Sequence, residues 1–157
     1  MRKQPTLVVI CGLPGAGKTT HARRLEAELG AVRFCPDEWL QALALPLSDE
    51  HQRDRLEQLQ WVLAKRLLAL GQSVLIEWGT WGRSERDRLR EEGRALGARV
   101  ELHYLTASID VLLERIVRRG MEETPITRAD LEHWARCIQV PTDEERALFD
   151  TAITIEP

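Results

Sequence analysis

The sequence predicts an α/β fold: a five-stranded parallel sheet in three layers, with helices on both faces. Two observations predict this class. Short β-rich apolar runs alternate with longer helical segments along all 157 residues, and strands so separated pair in parallel as βαβ units. The first run, "TLVVIC" at 6–11, is apolar without alternation, as a strand buried on both faces must be. The length suits one hydrophobic core, so residues 1–157 are expected to form a single domain.

The elements follow in order. Strand 6–11 runs into glycine. A helix is expected from Lys18 to Leu29, with Gly30 as its stop. "AVRFC" (31–35) reads as a second strand, and "PDEW" beyond it starts a short helix at best. Ser48 to Leu70 is the clearest helix, with Ser48 as N-cap, acidic residues after it and Gly71 ending it. Leu56, Leu59, Leu63, Leu67 and Leu70 recur at three- and four-residue spacing as one apolar stripe. Then come "SVLIEW" (73–78) as strand, an arginine-rich helix at 83–96 and "RVELHYL" (99–105) as strand. Helices at 108–119 and 127–138 precede "TAITIE" (151–156), the last strand.

Composition narrows the function. Hydrophobic residues make up 43% and charged residues 30%, as in ordinary folded domains. No apolar run is long enough for a membrane span, and "TLVVICG" is too short for a signal peptide, so a cytoplasmic protein without a membrane partner is expected. Cys11, Cys35 and Cys137 are odd in number and lack metal-ligand spacing, so they are expected reduced and packed. A net charge of −3 supplies no basic field for nucleic acid. Nineteen arginines stand against three lysines, so a lysine here is more telling than an arginine.

One of those lysines sits in Gly12-Leu13-Pro14-Gly15-Ala16-Gly17-Lys18-Thr19, which fits G-x-x-x-x-G-K-[ST] in full between a strand and a helix. Glycines allow the tight turn that points backbone amides at phosphate oxygens, and the helix start adds its positive dipole end. Residues 12–20, through Thr20, are therefore expected to bind ATP. Lys18 reaches the β- and γ-phosphates, and the Thr19 hydroxyl ligates Mg²⁺.

Other residues separate the classes that share this loop. The chain lacks the N-K-x-D guanine motif, having no asparagine at all, and it is too short for a ring ATPase. Three features favour a small kinase. Asp37 lies just beyond the second strand, where it either accepts a proton from an attacking hydroxyl or caps a surface helix. Glu77 ends a strand, where an acidic residue orients Mg²⁺ or its water ligands. Arg83 and Arg86 follow, either gripping an anionic acceptor or solvating a helix face, and Trp78 or Trp81 stacks on a base, lines the acceptor pocket or belongs to the core. The third feature is "LLERIVRRGMEETPITRADLEHW", read as a hinged lid over about 115–130. From it Arg115, Arg118, Arg119 or Arg128 reaches the transferring phosphoryl group.

The set "GLPGAGKTT", "PDEW", "LIEWGTWGRSERDRLR" and "ITRADLEHW" with "PTDEE" resembles a family of small P-loop kinase-like ATPases. That family is grouped with zeta toxins, chloramphenicol phosphotransferase and the kinase domain of polynucleotide kinases. The resemblance runs from about residue 6 to 155. It implies an adenylate-kinase-like core with strand order 2-3-1-4-5 and Mg·ATP as donor. It also implies Asp37 as the acceptor-side aspartate and Arg115 with Arg119 as catalytic lid arginines. Two positions depart from the pattern: Glu77 stands where aspartate is commoner, and Gln139 where an acidic residue precedes the proline.

The leading expectation is an ATP-dependent kinase acting on a hydroxyl of a small molecule of nucleoside, sugar or antibiotic type. A polynucleotide 5′-hydroxyl kinase is the alternative within enzymes, and an ATP-binding switch or ATPase the alternative outside phosphoryl transfer. No obligatory protein partner is evident in the sequence.

Overall fold

In the computed structural model, which describes residues 3–157, β1 (Thr6–Cys11) is the middle strand of a five-stranded sheet. It is flanked by β3 (Val74–Gly79) and β4 (Arg99–Leu105), with β2 (Val32–Phe34) and β5 (Thr151–Ile155) at the edges. All pairings are parallel, so the order is 2-3-1-4-5, as the resemblance implies. Leu7 to Cys11 are completely buried because both neighbours are strands and both faces are covered. Leu7, Val9 and Cys11 pack on one face with Trp61, Ala64, Leu68 and Leu89. Val8 and Ile10 pack on the other with Ala22, Leu25, Leu112 and Leu131.

The helices are α1 (Lys18–Leu29), α2 (Pro36–Ala42), α3 (Glu50–Ala69), α4 (Arg83–Ala95), α5 (Ile109–Arg119), α6 (Arg128–Cys137) and α7 (Asp143–Arg146). All but α7 match segments expected from sequence. Pro36 occupies the first turn of α2, where its missing N–H costs nothing, so "PDEW" opens a true helix of seven residues. The cap of α3 is Asp49 rather than Ser48: its carboxylate accepts the Gln52 amide at 3.0 Å. Two adjacent capping residues are equivalent by type, and the charged one gains more from the helix dipole.

The expected leucine stripe on α3 is also corrected. Leu59 is 51% and Leu70 67% exposed, whereas Leu56, Gln60, Trp61, Ala64 and Leu68 form the buried face. Gln60 belongs there because its side-chain oxygen accepts the Trp78 indole N–H at 2.8 Å. Apolar counting has no means of finding a buried amide that serves a buried indole. Cys11 and Cys35 are free and buried as expected, but Cys137 is exposed on α6. Among the described residues no helix is long and apolar enough to cross a membrane.

Between α1 and β4 lies a polar chain whose two histidines are buried. Arg24 donates to His21 Nδ1 at 3.2 Å, leaving His21 Nε2–H to donate to His103 Nδ1 at 2.8 Å. His103 Nε2–H then donates to Glu101 at 3.0 Å. Both rings are neutral in this arrangement. Burial, His103 and Arg24 push the His21 pKa down to about 4, and burial lowers that of His103. Groups that bind protons more weakly when folded make the unfolded state the better proton acceptor. Their stabilisation is present above pH 6.5 and lost as pH falls towards about 4, by up to about 3 kcal/mol for His21. Glu57 of α3, whose pKa is raised to about 7, contributes a slope of the opposite sign, so the histidines are read as a difference. As pH falls from 6.5 to 4.5, the urea midpoint of the variant carrying His21→Gln and His103→Gln is expected to rise relative to that of wild type.

Candidate active site

The loop between β1 and α1 is shaped by its glycines. Gly15 has φ +81°, and a Cβ there would lie 2.7 Å from the Leu112 carbonyl oxygen, so α5 itself enforces glycine. Ala16 N–H closes the turn on the Leu13 carbonyl at 3.2 Å. Gly17, at φ +93°, precedes α1 without a side-chain cap, and the first turn of α1 holds no acidic residue. Every other helix here carries at least one in its first turn. The leading amides of α1 and its positive dipole end thus face the loop without a competing negative charge.

Lys18 folds back over this hollow. Its ammonium donates to the Gly12 and Leu13 carbonyls at 3.0 and 2.8 Å. Burial pushes its pKa down to about 8, a fall that Glu77 and Asp37 oppose and Arg119 reinforces. Next along α1, the Thr19 hydroxyl is hydrogen-bonded to the Glu77 carboxylate. Glu77 is placed by an irregularity in the sheet. Val9 pairs with Ile76 but Cys11 with Gly79, so β3 carries an extra residue at this point. The other Glu77 oxygen accepts from Arg33 at 2.8 Å, and Arg33 also holds Glu38 at 2.7 and 2.9 Å.

A hydroxyl beside a carboxylate is a hard-oxygen donor set suited to Mg²⁺, which takes few protein ligands and completes its shell with water and phosphate. Among the described residues no group of three His, Cys, Asp or Glu side chains forms a metal cage, so such a cation here needs those further oxygens. Arg33 already neutralises Glu77, which suits contact through water.

Beyond β2, Asp37 in the first turn of α2 is ion-paired with Arg53 of α3, and both remain partly exposed. Half-buried Glu57 of α3 and Glu85 of α4 have no hydrogen-bonded or ionic partner among the described residues. Burial and the charge of Glu85 push the Glu57 pKa up to about 7. Arg83 donates to Asp87 at 3.0 Å and is half-buried.

Arg86 and Trp78 lie elsewhere than an acceptor site requires. Arg86 is completely buried, paired with Glu145 at 2.6 and 2.9 Å. It also donates to the carbonyls of Thr80, Trp81 and Gln139 at 2.8, 3.1 and 2.7 Å. No donor is left for a substrate. Trp78 is in the core, edge-to-face with Trp61. Trp81 is the tryptophan at the loop, donating its indole N–H to the Gly12 carbonyl at 3.3 Å.

The expected lid segment spans the second half of α5, the connection 120–127 and the start of α6. Arg115 reaches the phosphate loop, donating to the Gly15 carbonyl at 3.2 Å. Arg119 is paired with Glu122 in the connection. Arg118 and Arg128 form exposed pairs with Glu114 and Asp110. Met121 and Glu123 line a hollow of about 300 Å³ together with Leu45 and Pro46 of the α2–α3 connection, so the segment approaches that connection. Sequence reasoning missed Arg33, Arg53 and Glu145. Each acts through a partner distant in the chain or on another element.

The sequence matches the AAA domain family over residues 7–141. It is 33% identical over 119 residues to a shikimate kinase of Rhodopseudomonas palustris. That match covers 72% of this chain and 55% of the relative, so the chain spans about half the length of the curated relative it matches. Among solved structures, a gluconokinase of Sinorhizobium meliloti 1021 superposes with a TM-score of 0.66 at 21% identity, covering 99% of this chain and 84% of that one. Kti12 of Chaetomium thermophilum, in complex with ADP-AlF3, superposes with a TM-score of 0.71 at 19% identity, covering 96% and 88%. These structural likenesses concern the fold.

Proposed function

The chain belongs to the AAA domain family with a P-loop kinase-like fold, and from that premise we propose that it transfers the γ-phosphoryl of ATP to a hydroxyl of a small molecule. The observation that carries the reading is a convergence at the carboxyl end of the sheet. The free amides of α1, Lys18 and the Thr19–Glu77 pair meet there, with Asp37 across from them on α2. Binding sites of open α/β sheets form at that edge.

The roles follow from chemistry. Residues 12–20 cradle the triphosphate with backbone amides, and Lys18 leaves its loop carbonyls for the β- and γ-phosphates. Thr19, and Glu77 through water, would hold Mg²⁺, which when bound neutralises charge on the phosphate oxygens. Asp37 takes the proton from the acceptor hydroxyl while Arg53 keeps its carboxylate oriented. Arg115, already at the loop, and Arg119, released from Glu122, oppose the charge that builds on the phosphoryl group in flight. The bound ADP-AlF3 of the Kti12 structure supports an adenine nucleotide as donor.

Charge balance favours a small acceptor over a nucleic-acid end. Arg53 and Arg83 are paired with Asp37 and Asp87, Arg86 is buried, and Glu57 and Glu85 remain unpaired. Those three arginines are already engaged and offer a phosphodiester chain little. Nucleosides, sugars and antibiotics of neutral or amino type fit this face better.

The test is transfer of labelled phosphate from ATP to pooled nucleosides, sugars, aminoglycosides and phenicols, with 5′-hydroxyl oligonucleotides alongside. Asp37→Asn is expected to slow transfer about a hundredfold while leaving ATP affinity within twofold. Undiminished transfer refutes Asp37 as base, and slow acceptor-independent hydrolysis alone points to an ATPase.

A further inference from the structure

We propose that Trp81 is a positioning residue for nucleotide binding: its indole N–H keeps the Gly12 carbonyl satisfied when the Lys18 ammonium moves to phosphate. The proposal rests on the reading of residues 12–20 as an ATP site.

The argument is an accounting of two carbonyls. Without nucleotide, Lys18 donates to Gly12 and Leu13. A buried carbonyl that loses its donor is costly, so the departure of Lys18 needs replacements. Leu13 has one in the Ala16 N–H at 3.2 Å. Gly12 has one in Trp81 Nε1 at 3.3 Å. Lys18 can therefore turn to phosphate without orphaning either oxygen.

The surroundings are built to bring the indole there. Gly79 has φ +91°, and a Cβ on it would come within 3.4 Å of both the Gly12 oxygen and Trp81 Nε1. The bare backbone leaves space for the contact. Thr80 follows at φ +41°, a conformation rare for a β-branched residue, and it is held by its hydroxyl on Ile10 O at 3.2 Å and by Arg86 on its carbonyl. This kink turns the chain back so that Trp81 reaches the loop. From the far side, Trp134 of α6 packs on the Trp81 ring at 6.1 Å between centroids, and Gln139 N–H donates to the Trp81 carbonyl at 2.9 Å. The indole is fixed by both the sheet and the segment after α6.

The consequence appears only when Lys18 is elsewhere. Trp81→Phe, and an isosteric tryptophan analogue at 81 with sulfur in place of N–H, are expected to raise the Mg·ATP dissociation constant about tenfold. For the sulfur analogue, which keeps the ring packed on Trp134, the midpoint of thermal unfolding without nucleotide is expected to stay within about 2 °C, because Lys18 still serves Gly12. Nucleotide-free Lys18→Met combined with Trp81→Phe is expected to lose more stability than the two single variants together, since only there is Gly12 orphaned. The proposal is overturned if both Trp81 replacements bind Mg·ATP as wild type does. It is equally overturned if the sulfur analogue lowers the nucleotide-free midpoint as much as the nucleotide-bound one, which is what a packing role predicts. A wild-type chain that binds no Mg·ATP, matching Lys18→Met, sinks the nucleotide reading and this proposal together. That outcome differs visibly from the other two.

Discussion

Lys18→Met is expected to raise the Mg·ATP dissociation constant by about a hundred- to ten-thousandfold while leaving the nucleotide-free protein as stable as wild type, or more so. The first half follows from charge-assisted hydrogen bonds to two phosphates, worth about 1.5–3 kcal/mol each. The second follows from the state of Lys18 before nucleotide arrives. Its pKa is pushed down to about 8 by burial, so holding the ammonium charged at pH 7 costs the folded protein free energy. Methionine keeps the apolar stem and removes that cost. The Gly12 and Leu13 carbonyls keep Trp81 Nε1 and Ala16 N–H as donors. Calorimetric titration with Mg·ATP, beside thermal unfolding without it, measures both halves. Wild-type affinity in the variant would remove the basis for calling residues 12–20 a phosphate site, and a collapsed midpoint would show that the carbonyl accounting is incomplete.

What the sequence made legible is what depends on neighbours in the chain. The loop from Gly12 to Thr19 is a local motif, its glycine conformations are local, and the helix after it begins where expected. The alternation of apolar runs and helices likewise predicted the parallel sheet before any contact was known. Long-range partners were not legible. Arg33 reads as one charged residue in a short strand, yet it bridges Glu38 and Glu77. Glu77 was expected at a strand end, but nothing in "SVLIEW" announces the extra residue that turns it to Thr19. Gln139 stood out as a departure from pattern. In the structure its side-chain oxygen accepts the Arg83 amide at 2.6 Å, at the start of α4. An uncharged acceptor suffices there because Glu145, near Arg83 and Arg86, already supplies the negative charge.

Arg86 is the sharpest case, and it carries the second large effect. At the top of a helix in an arginine-rich chain it looks like a surface cation, since periodicity reads the same for solvated and buried arginines. Its partner Glu145 is 59 residues away and almost completely buried. Arg86→Met is expected to destabilise the protein by about 3–5 kcal/mol, because it strands a buried carboxylate and takes a donor from the Thr80, Trp81 and Gln139 carbonyls. At roughly 2–4 °C per kcal/mol for a domain of this size, the thermal midpoint falls by about 10 °C. Arg86→Lys is expected to recover little, because a point charge with three donors does not reproduce a planar fork engaged on two carboxylate oxygens and three carbonyls. Adding Glu145→Gln to Arg86→Met should restore part of the loss by removing the stranded charge. Thermal and urea unfolding of the three variants beside wild type decides the matter. A lysine variant as stable as wild type, or a double variant no better than Arg86→Met, would mean that the ion pair is not what holds the turn carrying Trp81 against the phosphate loop.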